Sequence, residues 1–221
     1  MVAKMAFLTT LLFIFGSSLL VKALTIPYFA YGSNCYVGTM TALRRIHFVS
    51  STAAVLPGYK LRFNIPGIPA VEPSWACVEE CPDDNVHGVL YTLTPPDFAR
   101  LSLSEGVPFG YQWRVVDVVP YIGDCDKAGR IAMSSSHGSR LQAYTLVSNN
   151  PFLQRGDIPT SKAYKDLIIR GAKDFHMDQE YIDKLEAVPV GFTFGEGIIA
   201  KDAVKAAEQH ASKKRRRQFF K

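Results

Sequence analysis

Two spacings of apolar residues divide the chain. From Thr25 onward β-branched and aromatic residues come in short runs between turn residues, the habit of strands, and only late do they recur at helical spacing. The first strand runs from Thr25 to about Tyr31 behind Pro27, which is tolerated at a strand's beginning, and stops at the turn tripeptide Gly32-Ser33-Asn34. Further strands are expected at roughly Ser50–Leu56, Tyr59–Phe63, Ala76–Glu80, His87–Leu93, Gln112–Tyr121 and Arg140–Val147. Helices are expected over Gly38–Arg45, ending in an Arg44-Arg45 pair that suits a helix C-terminus, and from the cap Thr94 through Pro95-Pro96 to about Ser104. Two more cover Ser161–Gly171 and Asp178–Ala187, with Tyr164, Leu167 and Ile168 on one face and Tyr181 and Leu185 on another. Asn64–Pro73, with three prolines and Gly67, is expected to be a long pocket-shaping loop, and Gly123–Gly138 a polar one. Strands in the middle and helices late give the α+β class.

The two ends carry different signals. After Lys4 an apolar run extends from Met5 to Val21, slightly short for a transmembrane helix of about 20 residues, and Val21-Lys22-Ala23 offers small residues at the −3 and −1 positions of a signal-peptidase site. Residues 1–23 therefore read as a secretory signal peptide or a retained signal anchor, with a buried N-terminal helix as the plain alternative. The expected location is the secretory pathway or a membrane, or the cytoplasm if an anchor leaves the domain facing inward. Residues 24–190 form one domain; 191–211 are an extension, glycine-rich and then a short helix over Ala203–His210. The tail 212–221 holds six basic residues and no acid. Net charge is +5, so removing those six leaves the body at −1. A body so nearly neutral has no basic nucleic-acid groove, and the tail is a solvated end or a patch for an anionic surface.

At 221 residues, 48% hydrophobic and 20% charged, the chain is an ordinary globule with room for one sizeable core. The turn after the first strand is its most suggestive feature. Gly32 removes a Cβ that would hold a ligand off the backbone, and consecutive N–H groups in such a turn form a concave cradle for a small anion. Glu105 ends a helix just before Gly106, with Val107, Pro108 and Phe109 following. Apolar surroundings would disfavour its ionised form and suit it to proton transfer, whereas the local sequence alone favours a surface loop glutamate. Other candidates reduce to plainer roles. Cys35 beside the cradle lacks a Cys-His-Asn arrangement and is expected to line the pocket. Cys77, Cys81 and Cys125 fix neither a zinc site nor a disulfide pairing, and the five histidines show no metal-ligand spacing. His87 is expected to be a hydrogen-bonded strand histidine, and Tyr144 sheet core. Ser134–Gly138 lacks the nucleophile-elbow pattern, and Glu196-Gly197 lies in a turn-rich connection.

Tyr28-Phe29-Ala30-Tyr31-Gly32-Ser33-Asn34 resembles the signature of the γ-glutamylcyclotransferase (AIG2-like) family. Three more blocks match in order: Pro57–Leu61; Val86-His87-Gly88-Val89 through Ser104-Glu105-Gly106-Val107; and Tyr164-Lys165 through Gly171-Ala172-Lys173 to Tyr181 and Leu185. The resemblance covers roughly Ile26 to Ala187. It implies a small, mixed, barrel-like sheet flanked by helices, and a lyase that turns γ-glutamyl dipeptides into 5-oxoproline and a free amino acid. It further implies Glu105 as the one acid/base, residues Tyr28 to Asn34 and Tyr164 against the substrate, and no metal or organic cofactor. The implied partner is a small γ-glutamyl peptide, and a homodimer and membrane association through the apolar end are compatible with it. Alternatives are a sister activity on γ-glutamylamines or glutathione, or a silent binding module of the same fold. One departure bears on the acceptor amino acid: relatives often carry a tyrosine deeper in the strand after Glu-Gly, where this chain has Tyr111, which strict alternation would turn to the other face.

Overall fold

β1 (Ile26–Ala30) is short, apolar and central: its last three residues are buried, and both its edges are paired. The computed structural model describes residues 25–121, 140–148 and 156–193, with Lys205. β1 lies antiparallel to β3 (Glu72–Leu93), with Tyr28 opposite Tyr91, and parallel to β5 (Leu141–Ser148) through Tyr28 and Tyr144. β2 (Phe48–Ile68) pairs with β3 along its length and with β4 (Tyr111–Pro120) at Ala54 and Val55. The antiparallel β4–β5 pair then closes a five-stranded barrel in the order β1-β3-β2-β4-β5. Closure leaves no free sheet edge around the ring. Helices α1 (Pro95–Ser104), α2 (Lys162–Asp174) and α3 (Gln179–Glu186) lie against it. This is the α+β class expected from the order of elements, with the barrel-like sheet that the family resemblance implied.

Three expectations change. The segment 64–73 is not a long loop: β2 and β3 run on past the barrel as a two-stranded ribbon, joined by the short turn 69–71. Its prolines are tolerated because, beyond Val55, β3 is the only strand paired with β2 among the described residues, so a missing N–H can face away from the ladder; Pro57 stands at a register shift. The helix expected at 38–45 is shorter and wider than an α-helix: residues 37–43 are helical, Thr39–Leu43 as a π-turn closed by Arg44 N–H to Thr39 O at 3.0 Å, and Arg45 with φ 55° follows its end. Tyr144 is not core; it is 38% exposed and packs on Phe98 and Trp113 outside the barrel. The N-terminal signal or anchor, the 123–138 loop, the 203–210 helix and the basic tail lie outside the described residues. Among the described residues no helix is long and apolar enough to cross a membrane.

Local signals set the helices. Thr94 Oγ1 accepts from Asp97 N–H at the start of α1, and Gly106 with φ 66° ends it, placing Glu105 at the C-cap. α2 buries Tyr164, Leu167, Ile168, Gly171 and Ala172, one stripe at helical spacing, and Ser161 Oγ caps it by accepting from Tyr164 N–H. A Cβ at Gly171 would stand 2.4 Å from the carbonyl carbon of Cys35, so α2 sits directly on the turn that follows β1. That contact places Tyr164 over Gly32.

His87 is a buried, hydrogen-bonded strand histidine. Its ring stacks on Tyr181 at 4.4 Å, and Nδ1 lies 2.6 Å from the Tyr121 hydroxyl. That hydroxyl also accepts Asp178 N–H at 3.1 Å, so it ties the His87 ring to the start of α3. Burial pushes its pKa down to about 4 from the ordinary 6.5. A lowered histidine pKa means that the unfolded chain takes up the proton first as pH falls. The stability held above pH 6.5 is therefore lost progressively toward pH 4. Between pH 7 and 4.5 the loss from this group amounts to about 2.5 kcal/mol. Urea midpoints of the wild type and His87→Gln at the two pH values should show that extra acid sensitivity in the wild type; equal pH dependence would contradict it.

Candidate active site

A cavity of about 340 Å³ opens where the end of β1, the end of α1, the ribbon and α2 meet. Gly32, Ser33 and Asn34 line one side of it, on the turn between β1 and residue 36. That turn is closed by Cys35 N–H to Gly32 O and Tyr36 N–H to Ser33 O, so its leading N–H groups at Ser33 and Asn34 are not used within it. Gly32 has an ordinary φ of −100°; its lack of a Cβ leaves room for the Tyr164 hydroxyl, which would lie a tight 3.1 Å from one. Tyr28 and Tyr31 also line the cavity. Phe29 and Ala30 do not: both are fully buried in the core, and their neighbours carry the lining.

Glu105 faces the same cavity, and its surroundings differ from the apolar ones expected. Phe109 is 91% exposed and contributes nothing to it. Instead Oε1 lies 2.8 Å from Arg44 Nη2 and accepts from Asn34 Nδ2 at 2.8 Å, while no side chain among the described residues bonds Oε2. Asn34 is the hub. Its Nδ2 also donates to the Tyr28 hydroxyl at 2.9 Å, its Oδ1 accepts from Arg44 Nε at 2.8 Å, and its main-chain oxygen accepts from Tyr91. Arg44 Nη1 reaches Ser104 Oγ at 2.8 Å and Ser104 O at 3.2 Å, tying the wide turn to the end of α1. All three guanidinium nitrogens are engaged, so the fork fixes both the carboxylate and the asparagine. Sequence reading missed Arg44's role, because a basic residue closing a helical turn has a sufficient local explanation.

The aromatic wall is made of un-ionised phenols. Burial, helped by the Glu105 charge, pushes the Tyr28 hydroxyl well above its ordinary pKa, and burial does the same for Tyr31, Tyr111 and Tyr164. Tyr111, first residue of β4, does face the cavity: its hydroxyl donates to Ala76 O at 2.9 Å. Tyr164 stands opposite, its hydroxyl within reach of Ala76 N–H at 3.4 Å. Trp113 packs edge-on to Tyr28 at 5.7 Å from outside the cavity. Cys35 is not a lining thiol. It is buried behind the turn, its Sγ donates to Ala30 O, and burial pushes its pKa up to about 12, so no thiolate is available. The lining residues that bear charge are Arg44, Glu105 and Glu72. Among the described residues no three metal-ligating side chains converge.

The family model described as "Gamma-glutamyl cyclotransferase, AIG2-like" matches residues 28–166, from Tyr28 on β1 to α2. The chain is 30% identical over 179 residues to "Gamma-glutamyl cyclotransferase gliK" of Aspergillus fumigatus, covering 73% of this chain and 62% of that protein, which is under two thirds of its length. It is 29% identical over 169 residues to the "Gamma-glutamylcyclotransferase" of Mus musculus, covering 74% of this chain and 79% of the mouse protein. A solved structure of a "Gamma-glutamyl cyclotransferase" superposes with a TM-score of 0.65 at 25% identity, covering 82% of this chain and 98% of that one. Fold, match and relatives agree: the chain belongs to the γ-glutamyl cyclotransferase, AIG2-like family.

Proposed function

We propose that the cavity cyclises γ-glutamyl dipeptides. The substrate's α-amine attacks its own γ-amide carbonyl, the amide C–N bond breaks, and 5-oxoproline and a free amino acid leave. Nucleophile and electrophile belong to one molecule, so the protein's main task is to hold the folded-back conformer. Glu105 takes a proton from the attacking nitrogen at its uncommitted Oε2 and returns it to the departing nitrogen. Arg44 and Asn34 keep Oε1 occupied, so the carboxylate cannot turn away. The N–H groups of Ser33 and Asn34 and the protonated Tyr28 hydroxyl supply donors for the substrate's anionic oxygens. Gly32 lets the backbone come close, and Tyr31, Tyr111 and Tyr164 wall the cavity.

The observation that carries this reading is Glu105 held on the wall of the same cavity as Gly32, Ser33 and Asn34, with one carboxylate oxygen fixed by a cation and an amide and the other free. Relatives named γ-glutamyl cyclotransferase support the choice of substrate class. The purified protein, incubated separately with γ-glutamyl-alanine, glutathione and ε-(γ-glutamyl)-lysine, should release 5-oxoproline from γ-glutamyl-alanine. Release confined to either of the others reassigns the substrate. Binding with no release from any of them makes the cavity a silent module and overturns the catalytic reading.

A further inference from the structure

The cavity has a second carboxylate that the cyclisation does not use. Glu72, first residue of β3, is 3% exposed and lines the cavity four residues before Ala76, about 13 Å along an extended strand. Its Oε1 accepts from Thr160 Oγ1 at 3.2 Å and from Ser161 N–H at 3.1 Å, and its Oε2 from Ser161 Oγ at 2.5 Å. All three donors are neutral. A carboxylate offers about four acceptor positions, so one remains, on Oε2.

No lysine, arginine or histidine among the described residues lies within 4 Å of Glu72, whereas Glu105 has its own arginine. Burying an unpaired carboxylate is costly. Burial accordingly pushes the Glu72 pKa upward, against hydrogen bonds from Ser161 and Thr160 that lower it. A ligand cation beside it would remove that cost. Trp75 stands on the same stretch of wall, held edge-on to Tyr164 at 5.3 Å, and an indole suits an alkylammonium.

We propose that Glu72 sets specificity by making this end of the cavity a site for a cation, so that the preferred γ-glutamyl dipeptides release an amino acid with a positively charged side chain. The inference rests on the cyclisation reading. With the reacting amide against Glu105 and the glutamyl carboxylate on the turn at Gly32–Asn34, the part reaching the Glu72 end is the acceptor.

The test compares γ-glutamyl-lysine, joined through the lysine α-amine so that the ε-ammonium is free, with γ-glutamyl-norleucine, which keeps the chain and lacks the charge. The wild type should favour the lysine compound by about tenfold or more in kcat/KM, through KM, and Glu72→Gln should bring the ratio to about one. A wild-type ratio near one overturns the proposal even if Glu72→Gln fails to fold. So does a ratio that Glu72→Gln leaves unchanged, which would make Glu72 only an anchor for the start of α2. Calorimetric titration of both dipeptides into Glu105→Gln, with and without Glu72→Gln, reads the same ratio in the absence of turnover. Should the wild type release no 5-oxoproline at all, the cyclisation reading fails, and the calorimetric ratio still decides the role of Glu72.

Discussion

Glu105→Gln is expected to lower kcat for 5-oxoproline release by about 10²–10⁴-fold, the span of one acid/base group, with dissociation constants changed by about twofold or less. The amide oxygen of glutamine can still accept from Arg44 Nη2 and Asn34 Nδ2, now both at 2.8 Å from Glu105 Oε1. What it loses is the second oxygen, replaced by an NH₂ group that cannot take a proton. A loss confined to kcat therefore separates proton transfer from binding. Single-turnover rates and calorimetry on the same preparation measure both. A variant with near-normal turnover would remove Glu105 from the chemistry.

Arg44→Met carries the second large effect, on stability as well as rate. It leaves the Glu105 carboxylate, Asn34 Oδ1 and Ser104 Oγ without their common partner, and both charged side chains are mostly buried, at 16% and 11% exposure. Breaking such a pair by deleting one member costs about 3 kcal/mol. The turnover expected is lower by about 10–100-fold, because Glu105 and Asn34 lose the fork that aims them. Arg44→Lys should restore part of the stability and little of the rate, since an ammonium cannot bridge three acceptors on two elements as a planar guanidinium does. Urea unfolding and kcat for γ-glutamyl-alanine check both. Full rescue by lysine would mean that only the charge matters.

Features with a local cause were the legible ones. The stop after β1 was written in Gly32-Ser33-Asn34, the cap of α1 in Thr94-Pro95-Pro96, and the buried stripe of α2 in the spacing of Tyr164, Leu167 and Ile168. Features that depend on barrel closure were not. Asn34 and Glu105 lie 71 residues apart, and nothing near either of them specifies the other or Arg44. The prolines between residues 64 and 73 suggested a loop because a proline's cost in a strand depends on whether its N–H would face a partner, which only the ribbon's place at the barrel's rim decides. Tyr144 was misread for a related reason: alternation ranks residues within a strand, and does not say which face the rest of the fold covers.

The proposed chemistry has one geometric requirement, that the attacking nitrogen meet Glu105. After cyclisation that nitrogen is the lactam N–H of 5-oxoproline. A structure of the protein soaked with 5-oxoproline should place the lactam nitrogen within about 2.6–3.2 Å of the Glu105 carboxylate, with the product's carboxylate on the turn at Gly32–Asn34. A product bound in this cavity with its nitrogen turned from Glu105, or bound elsewhere on the protein, would contradict the proposed chemistry.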